Sequence, residues 1–81
     1  MNLYIINDVL YDYTAGMCVI AAESMSHCET IFMEEFGHDG DSDWAKADNE
    51  NKQQEFNLAE IKVIENVDHP AGVVSYVYGG G

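Results

Sequence analysis

The stretch "ESMSHCETIFMEEFG", residues 23–37, decides the fold, because it carries the clearest helical repeat in the chain. Its apolar side chains recur at steps of three and four residues, a spacing that places them on one side of a helix. These side chains belong to Met25, Cys28, Ile31, Phe32 and Phe36. A helix with one apolar stripe must bury that stripe, so we expect it to pack on a sheet.

The ends of this helix also have sequence signals. Ser24 can cap the N-terminus by accepting a hydrogen bond from an unpaired backbone N–H. Ser26 and Glu29 fit a capping box as well, which leaves the start open by two residues. Gly37 is a natural residue after the last turn, because glycine accepts a positive φ without strain. The sequence therefore predicts one helix over residues 25–36.

Four segments outside the helix have the composition or alternation of strands. They are "NLYIINDV" (2–9), "MCVIAA" (17–22), "LAEIKVIENV" (58–67) and "VVSYVY" (73–78). The turn-rich "YDYTAG" (11–16) joins the first two into a hairpin, and "DHPAG" (68–72) precedes the last. We predict one α+β domain over residues 1–81, with order ββαββ. One helix covers one face of a four-stranded, mainly antiparallel sheet.

A long acidic loop is expected after the helix, over residues 38–57. Loops beyond about 12–15 residues are uncommon in compact domains and are often functional. Part of this connection, "SDWAKADNENKQQ", can form a short helix capped by Ser42, and Trp44 can pin it to the body.

The charge balance limits the classes of partner. The chain has 15 acidic residues, three lysines and no arginine, so its formal net charge is −12. Direct nucleic-acid binding needs Lys and Arg, and anionic membranes also attract them, so neither is expected. A basic protein partner would instead be attracted, more weakly as salt rises. No apolar segment is long enough to span a bilayer and no signal peptide is recognised, so a cytoplasmic location is expected.

Metal, cofactor and catalytic chemistry are not predicted. Asp39, Asp41, Asp43 and Glu50 have the 1-3-5-12 spacing of an EF-hand, but Trp44 occupies the position that needs glycine. Surface positions are expected for the three histidines, which lack the spacing of a zinc site. Cys18 and Cys28 fall at core positions, where a thiol is inert. No glycine-rich phosphate loop precedes a helix, so we expect a protein that is not an enzyme and binds no cofactor.

The tyrosines leave two interpretations open. Tyr76 and Tyr78 alternate on one face of the last strand, and Tyr11 and Tyr13 share one side of the first turn. They can form cross-strand aromatic packing. They can equally form a contact patch, because tyrosine is enriched at interfaces.

The acidic segment provides the candidate partner-binding residues. Ten acidic residues and two lysines lie between Glu23 and Glu55. They can form only a solvated face. Yet concentrated like charge destabilises a small domain, and charges along a surface can imitate a nucleic-acid backbone. The candidates are Glu34, Glu35, Asp39, Asp41, Asp43, Trp44, Asp48 and Glu50, with Trp44 as the desolvated anchor.

The order of motifs also resembles a class of small phage and prophage proteins. "NLYII", "CVIAAESMSHCETIF", "EIKVIENV" and "GVVSYVYGG" follow the pattern of two strands, a Ser-capped helix and two further strands, a style shared by several anti-CRISPR proteins. The acidic segment 38–57 departs from the pattern. The resemblance implies a phage inhibitor acting in a bacterial cytoplasm, with a CRISPR effector or a similar ribonucleoprotein as partner. It implies no catalytic residues.

Two functional hypotheses follow. In the first, the protein is an acidic, non-enzymatic phage inhibitor that binds a basic, nucleic-acid-handling surface of a bacterial defence complex, with nucleic-acid mimicry as one mode. In the second, it is a small phage accessory or structural protein that self-associates, for example as a homodimer, through its C-terminal strand. The segment "GVVSYVYGGG" has no charged residue to block edge pairing.

Overall fold

Two helices and four strands make up residues 1–80, the part of the chain that the computed structural model describes. In chain order the elements are β1 (Asn2–Asp12), β2 (Thr14–Ala22), α1 (Met25–Phe36), α2 (Asp43–Leu58), β3 (Glu60–Ile64) and β4 (Gly72–Val77). The strands form one antiparallel sheet with spatial order β3-β1-β2-β4. The α+β class and the four-stranded antiparallel sheet are confirmed. The predicted single helix is not, because a second helix precedes β3.

The hairpin of β1 and β2 forms the centre of the sheet. Tyr4 lies opposite Ile20 and Ile6 lies opposite Cys18, and all four side chains are buried. Since side chains alternate between the two faces of a strand, these residues mark one face of the sheet as the core face. The core cluster contains apolar residues of both helices, so α1 and α2 cover the same face.

The end of β1 is irregular and runs further than the predicted strand 2–9. Its pairing with β2 shifts register near Val9, where Asp8 and Leu10 have positive φ angles of 65° and 54°. The backbone N–H of Leu10 donates to Oε1 of Glu55 at 2.7 Å. This hydrogen bond ties α2 to the irregular end of β1.

Helix α1 has the predicted bounds. The hydroxyl of Ser24 accepts a hydrogen bond from the backbone N–H of His27 at 3.1 Å, so Ser24 is the N-cap. The reason expected for Gly37 is wrong, because its φ is −80° and its backbone is extended. A Cβ there would overlap the carbonyl oxygen of Met33 and lie 2.9 Å from Oδ1 of Asn49. Close approach of the Met33 carbonyl and of Asn49, not positive φ, explains the glycine.

Most of the predicted acidic loop is helical. The connection after α1 spans only residues 37–42, and α2 then continues to Leu58. The hydroxyl of Ser42 accepts from the backbone N–H of Ala45 at 3.1 Å, which makes Ser42 the N-cap of α2. The buried side of α2 consists of Ala45, Lys52 and Phe56. Phe32 of α1 joins this side to the core, with its ring centroid 5.3 Å from that of Phe56.

β3 is shorter than the predicted strand 58–67, whereas β4 has the predicted length and begins one residue earlier, at Gly72. β3 lies beside β1 and β4 lies beside β2, so each leaves one side unpaired. Among the residues described, neither helix combines the length and the apolar character required to cross a membrane.

Candidate partner-binding surface

The acidic candidates lie together on the helical side of the molecule. They occupy the end of α1, the 37–42 connection and the first half of α2, and we name this region the acidic surface. Its exposed members are Glu34, Glu35, Asp39, Asp41, Asp43, Trp44 and Glu50. Asp48 lies in the same region but is half-buried.

Asn49 fixes the connection to α2. Its side-chain Oδ1 accepts from the backbone N–H of His38 at 2.8 Å, and its Nδ2 donates to the carbonyl of His38 at 3.0 Å. The ring of His38 packs against the ring of Trp44, with centroids 4.4 Å apart. Trp44 therefore has a defined neighbour although it is 67% exposed. Trp44 was expected to hold its helix to the rest of the domain, and the contact that the structure shows is with His38 of the 37–42 connection.

Asp48 is held by internal partners. One carboxylate oxygen, Oδ2, contacts Nε2 of His38 and lies 3.6 Å from Nζ of Lys52. Lys52 is the one buried charged residue within the described part of the chain, with 9% exposure. A buried charge needs a partner. Asp48 therefore helps to hold α2 in place, and its role in binding a partner stays a prediction.

The ten acidic residues between Glu23 and Glu55 fall into two groups. Three are half-buried and each has an internal partner. Glu29 accepts from Nε2 of Gln53 at 3.1 Å, Glu55 accepts from Leu10, and Asp48 has the contacts given above. The other seven are exposed: Glu23, Glu34, Glu35, Asp39, Asp41, Asp43 and Glu50. Within residues 1–80, none of these seven carboxylates makes a hydrogen bond or ion pair.

A groove between the two helices opens onto the acidic surface. Its volume is about 460 Å³. The residues that line it include Glu29, Glu34, Asp39 and Asn49. A groove with three acidic residues in its lining suits a cationic side chain better than an anion.

The EF-hand spacing does not correspond to a loop. α2 begins at Asp43, so the fifth to twelfth positions of the pattern, up to Glu50, lie on helix. An EF-hand instead wraps twelve loop residues around the ion. In the part of the chain that the structure describes, no group of three or more His, Cys, Asp or Glu residues is placed to hold a metal.

The two cysteines lie in the core, as predicted. Both are fully buried, and burial raises the pKa of the Cys18 thiol and of the Cys28 thiol to about 12. A neighbouring thiol adds to the rise at Cys18, and Glu29 adds to it at Cys28. The thiolate is the reactive form, so neither side chain is suited to nucleophilic chemistry at neutral pH.

The C-terminal tyrosines pack against α1 and stay half exposed, and their role as a contact patch stays a prediction. Tyr76 and Tyr78 pack edge-on against Phe36, with ring centroids at 5.4 and 6.3 Å, yet about half of each side chain stays exposed. Burial raises the pKa of Tyr78, and Tyr76 and nearby carboxylates add to the rise. This edge aromatic pair borders the end of α1.

Sequence reasoning missed Lys52, Asn49 and Glu55, which determine the position of α2. Lys52 and Asp48 are four residues apart, a spacing that brings side chains together on a helix, so this pair had a usable signal. Asn49 and Glu55 bond to backbone groups distant in the chain, at His38 and Leu10. A single sequence carries no signal for such contacts.

Comparison with protein-family models, with curated proteins and with solved structures found no match to this chain.

Proposed function

We propose that this protein is a non-enzymatic binding protein whose acidic surface docks onto a basic, nucleic-acid-handling surface of another protein. Asp39, Asp41, Asp43 and Glu50, with Glu34 and Glu35 beside them, supply the charge. Trp44 supplies an apolar anchor among them, because a large exposed ring gains most when a partner desolvates it.

The seven exposed carboxylates without internal partners carry this proposal. The half-buried acids of the same segment all have partners inside the molecule, so the chain does pair the acids that its own stability requires. The exposed acids repel one another and destabilise the compact state. A basic partner would remove that repulsion on binding. The groove lined by Glu29, Glu34 and Asp39 offers a place for one lysine or arginine of that partner.

The nature of the partner is inferred from charge and from the resemblance to small phage proteins. A protein that binds DNA or RNA presents lysine and arginine along the path of the phosphates. An acidic surface can occupy that path. This chain has no arginine and only three lysines, one of which is buried, so few positive charges oppose such binding. The resemblance adds a bacterial defence complex, such as a CRISPR effector, as the class of target.

A pair of charge-matched triple variants tests the proposal. Asp41→Asn, Asp43→Asn and Glu50→Gln change the acidic surface, and the net charge becomes −12 + 3 = −9. The control makes the same change of charge elsewhere, at exposed positions outside the acidic surface: Asp12→Asn, Glu65→Gln and Asp68→Asn. Both variants and the wild type are used to capture partners from a bacterial lysate at low and high salt.

We expect the wild type and the control to capture a nucleic-acid-binding protein at low salt, and the acidic-surface variant to capture much less. In a gel-shift assay with the purified partner, added wild-type protein should displace its nucleic acid. The main effect of the acidic-surface variant should be a slower on-rate, because exposed charges steer association. Equal capture by the two variants would mean that net charge, not this surface, is responsible.

A second candidate function, self-association through β4, is favoured by one observation. β4 is an edge strand, and Gly72–Val77 contains no charged side chain. The other edge strand, β3, carries Glu60 and Lys62, which discourage pairing with another chain. Pairing at β4 would protect the free backbone amides of that strand from hydrogen exchange as protein concentration rises.

A further inference from the structure

The sheet face opposite the helices carries an apolar layer, and we name it the open face. Leu3 lies opposite Ile64 and Met17 lies opposite Val77, with Ile5 and Val19 paired between them. These residues alternate with the buried core residues, so they lie on the side away from α1 and α2. All six remain partly or largely exposed; Ile64 is 49% and Val77 is 60% exposed.

The open face has no net charge, unlike the molecule as a whole. Among its strand residues the charged ones are Glu60 and Lys62, which have opposite signs and lie at the β3 edge. The seven exposed acids of α1, α2 and their flanking residues lie elsewhere. Two copies of a chain with charge −12 can therefore approach each other through this face with the least repulsion.

The area of the open face is sufficient for a weak specific contact. The four strands contain 31 residues, and strands lie about 4.8 Å apart and rise about 3.4 Å per residue, so they cover roughly 500 Å² in projection. Two copies would bury about 1,000 Å² of projected surface, and the relief of the side chains adds to this. Specific interfaces begin near about 1,000 Å², so a reversible dimer is expected and an obligate one is not.

We propose that the open face is the contact surface of a homodimer in which two copies stack sheet on sheet. Stacked sheets lie about 10 Å apart, and each helical layer lies beyond its own sheet. The two acidic surfaces then face opposite directions, separated by far more than the Debye length of about 8 Å at physiological salt. The dimer presents two acidic surfaces, and its formation does not require that these surfaces bind a partner.

Sedimentation equilibrium of the intact chain tests the dimer. The wild-type mass should rise with concentration from 9.0 kDa towards twice that value. Val19→Glu places a charge at the centre of the open face and should raise the dimer dissociation constant about 100-fold. Val77→Glu, at an exposed position, should weaken the dimer without threatening the fold. Leu58→Glu makes the same chemical change at the end of α2, where the side chain is 84% exposed, and should leave dimerisation unchanged.

Salt and hydrogen exchange separate this dimer from the alternatives. Added salt should strengthen it, because the remaining repulsion between two acidic chains is screened while the apolar contact is not. At about 1 mM, sedimentation detects a dimer with a binding free energy of only about 4 kcal/mol. A wild type that stays at 9.0 kDa up to this concentration would overturn the proposal, and the open face would then be a contact surface for a different protein. Equal weakening by Leu58→Glu, or concentration-dependent protection of the amides of Gly72–Val77, would also overturn it. The last result would indicate edge pairing.

Discussion

Replacing Asp48 by alanine should destabilise the protein far more than replacing the exposed Asp41. Asp48→Ala leaves Lys52 without its carboxylate and removes the side-chain contact of His38. Loss of one partner of a fully buried ion pair costs about 3–5 kcal/mol. The Asp48 side chain is 26% exposed, so water can replace part of the contact, and we expect a loss of about 2 kcal/mol.

That loss is large for a chain of this size. At about 0.05–0.15 kcal/mol per residue, 81 residues give a free energy of unfolding of about 4–12 kcal/mol. A domain this small loses about 4–8 °C in Tm for each kcal/mol, so Asp48→Ala should melt about 8–16 °C below the wild type. Asp41→Ala should stay within about 0.5 kcal/mol, because Asp41 has no internal partner to lose.

Thermal melting followed by far-UV circular dichroism, with urea unfolding for the free energy, measures both variants. A double-mutant cycle with Lys52→Met adds a direct test, since methionine keeps the packing of the stem but removes the buried charge. Asp48→Ala should then cost less in the Lys52→Met background than in the wild type. The structural role of Asp48 is refuted if Asp48→Ala and Asp41→Ala have the same Tm. It is also refuted if the free-energy effects of Asp48→Ala and Lys52→Met are additive.

Three further outcomes are expected. Trp44→Ala should raise the off-rate from a captured basic partner and leave the salt dependence nearly unchanged, and an unaltered off-rate in surface plasmon resonance would remove Trp44 from the contact. Native Cys28 should resist thiol labelling at pH 8. The two thiols have pKa values of about 12 in the folded protein and 9.0 when unfolded, so the unfolded chain loses their protons first and the free energy of unfolding should fall as pH rises from about 9 towards 12. Urea midpoints at pH 8 and 10.5, with Cys28→Ala as control, measure this fall, and equal pH dependence in the variant would contradict it. Gly37→Ala should lower the free energy of unfolding by about 1–3 kcal/mol, because the new Cβ overlaps the carbonyl oxygen of Met33. A variant as stable as the wild type in urea would show that the 37–42 connection shifts to make room.

Local signals were sufficient to predict α1 and the sheet, whereas for α2 they indicated only a short helix capped by Ser42 within a long loop. The serine cap of α1 appears in the structure, and three of the five predicted stripe residues, Cys28, Phe32 and Phe36, are buried. Ile31 is half-buried, and Met25 is exposed. The buried side of α2 contains only Ala45, Phe56 and a lysine. Lysine counts as polar in a hydrophobicity pattern, yet its stem can be buried when the ammonium group finds a partner. The buried side of α2 therefore gives no helical repeat of apolar residues in the sequence, and most of the segment was predicted as a loop.

The same cause limited the prediction of the candidate site. Every carboxylate of residues 37–55 looks alike in the sequence, so Asp48 was grouped with its neighbours. Only the fold separates Asp48, which approaches Lys52 and His38, from Asp43 and Glu50, which stay exposed on α2. Acidic patches in small domains thus need a three-dimensional assignment before each charge is given a role.

The distribution of charge and apolar surface gives the two sides of this molecule different physical roles. The helical side holds the exposed acids and opposes self-association, because two such surfaces repel each other. The open face is nearly neutral and presents apolar side chains, which can form a contact that does not depend on charge. A change of salt should therefore act in opposite directions on the two surfaces, weakening what binds the acidic surface and strengthening what binds the open face. The sign of the salt effect therefore distinguishes binding at the acidic surface from self-association, and hydrogen exchange of Gly72–Val77 then distinguishes stacking of the open faces from edge pairing at β4.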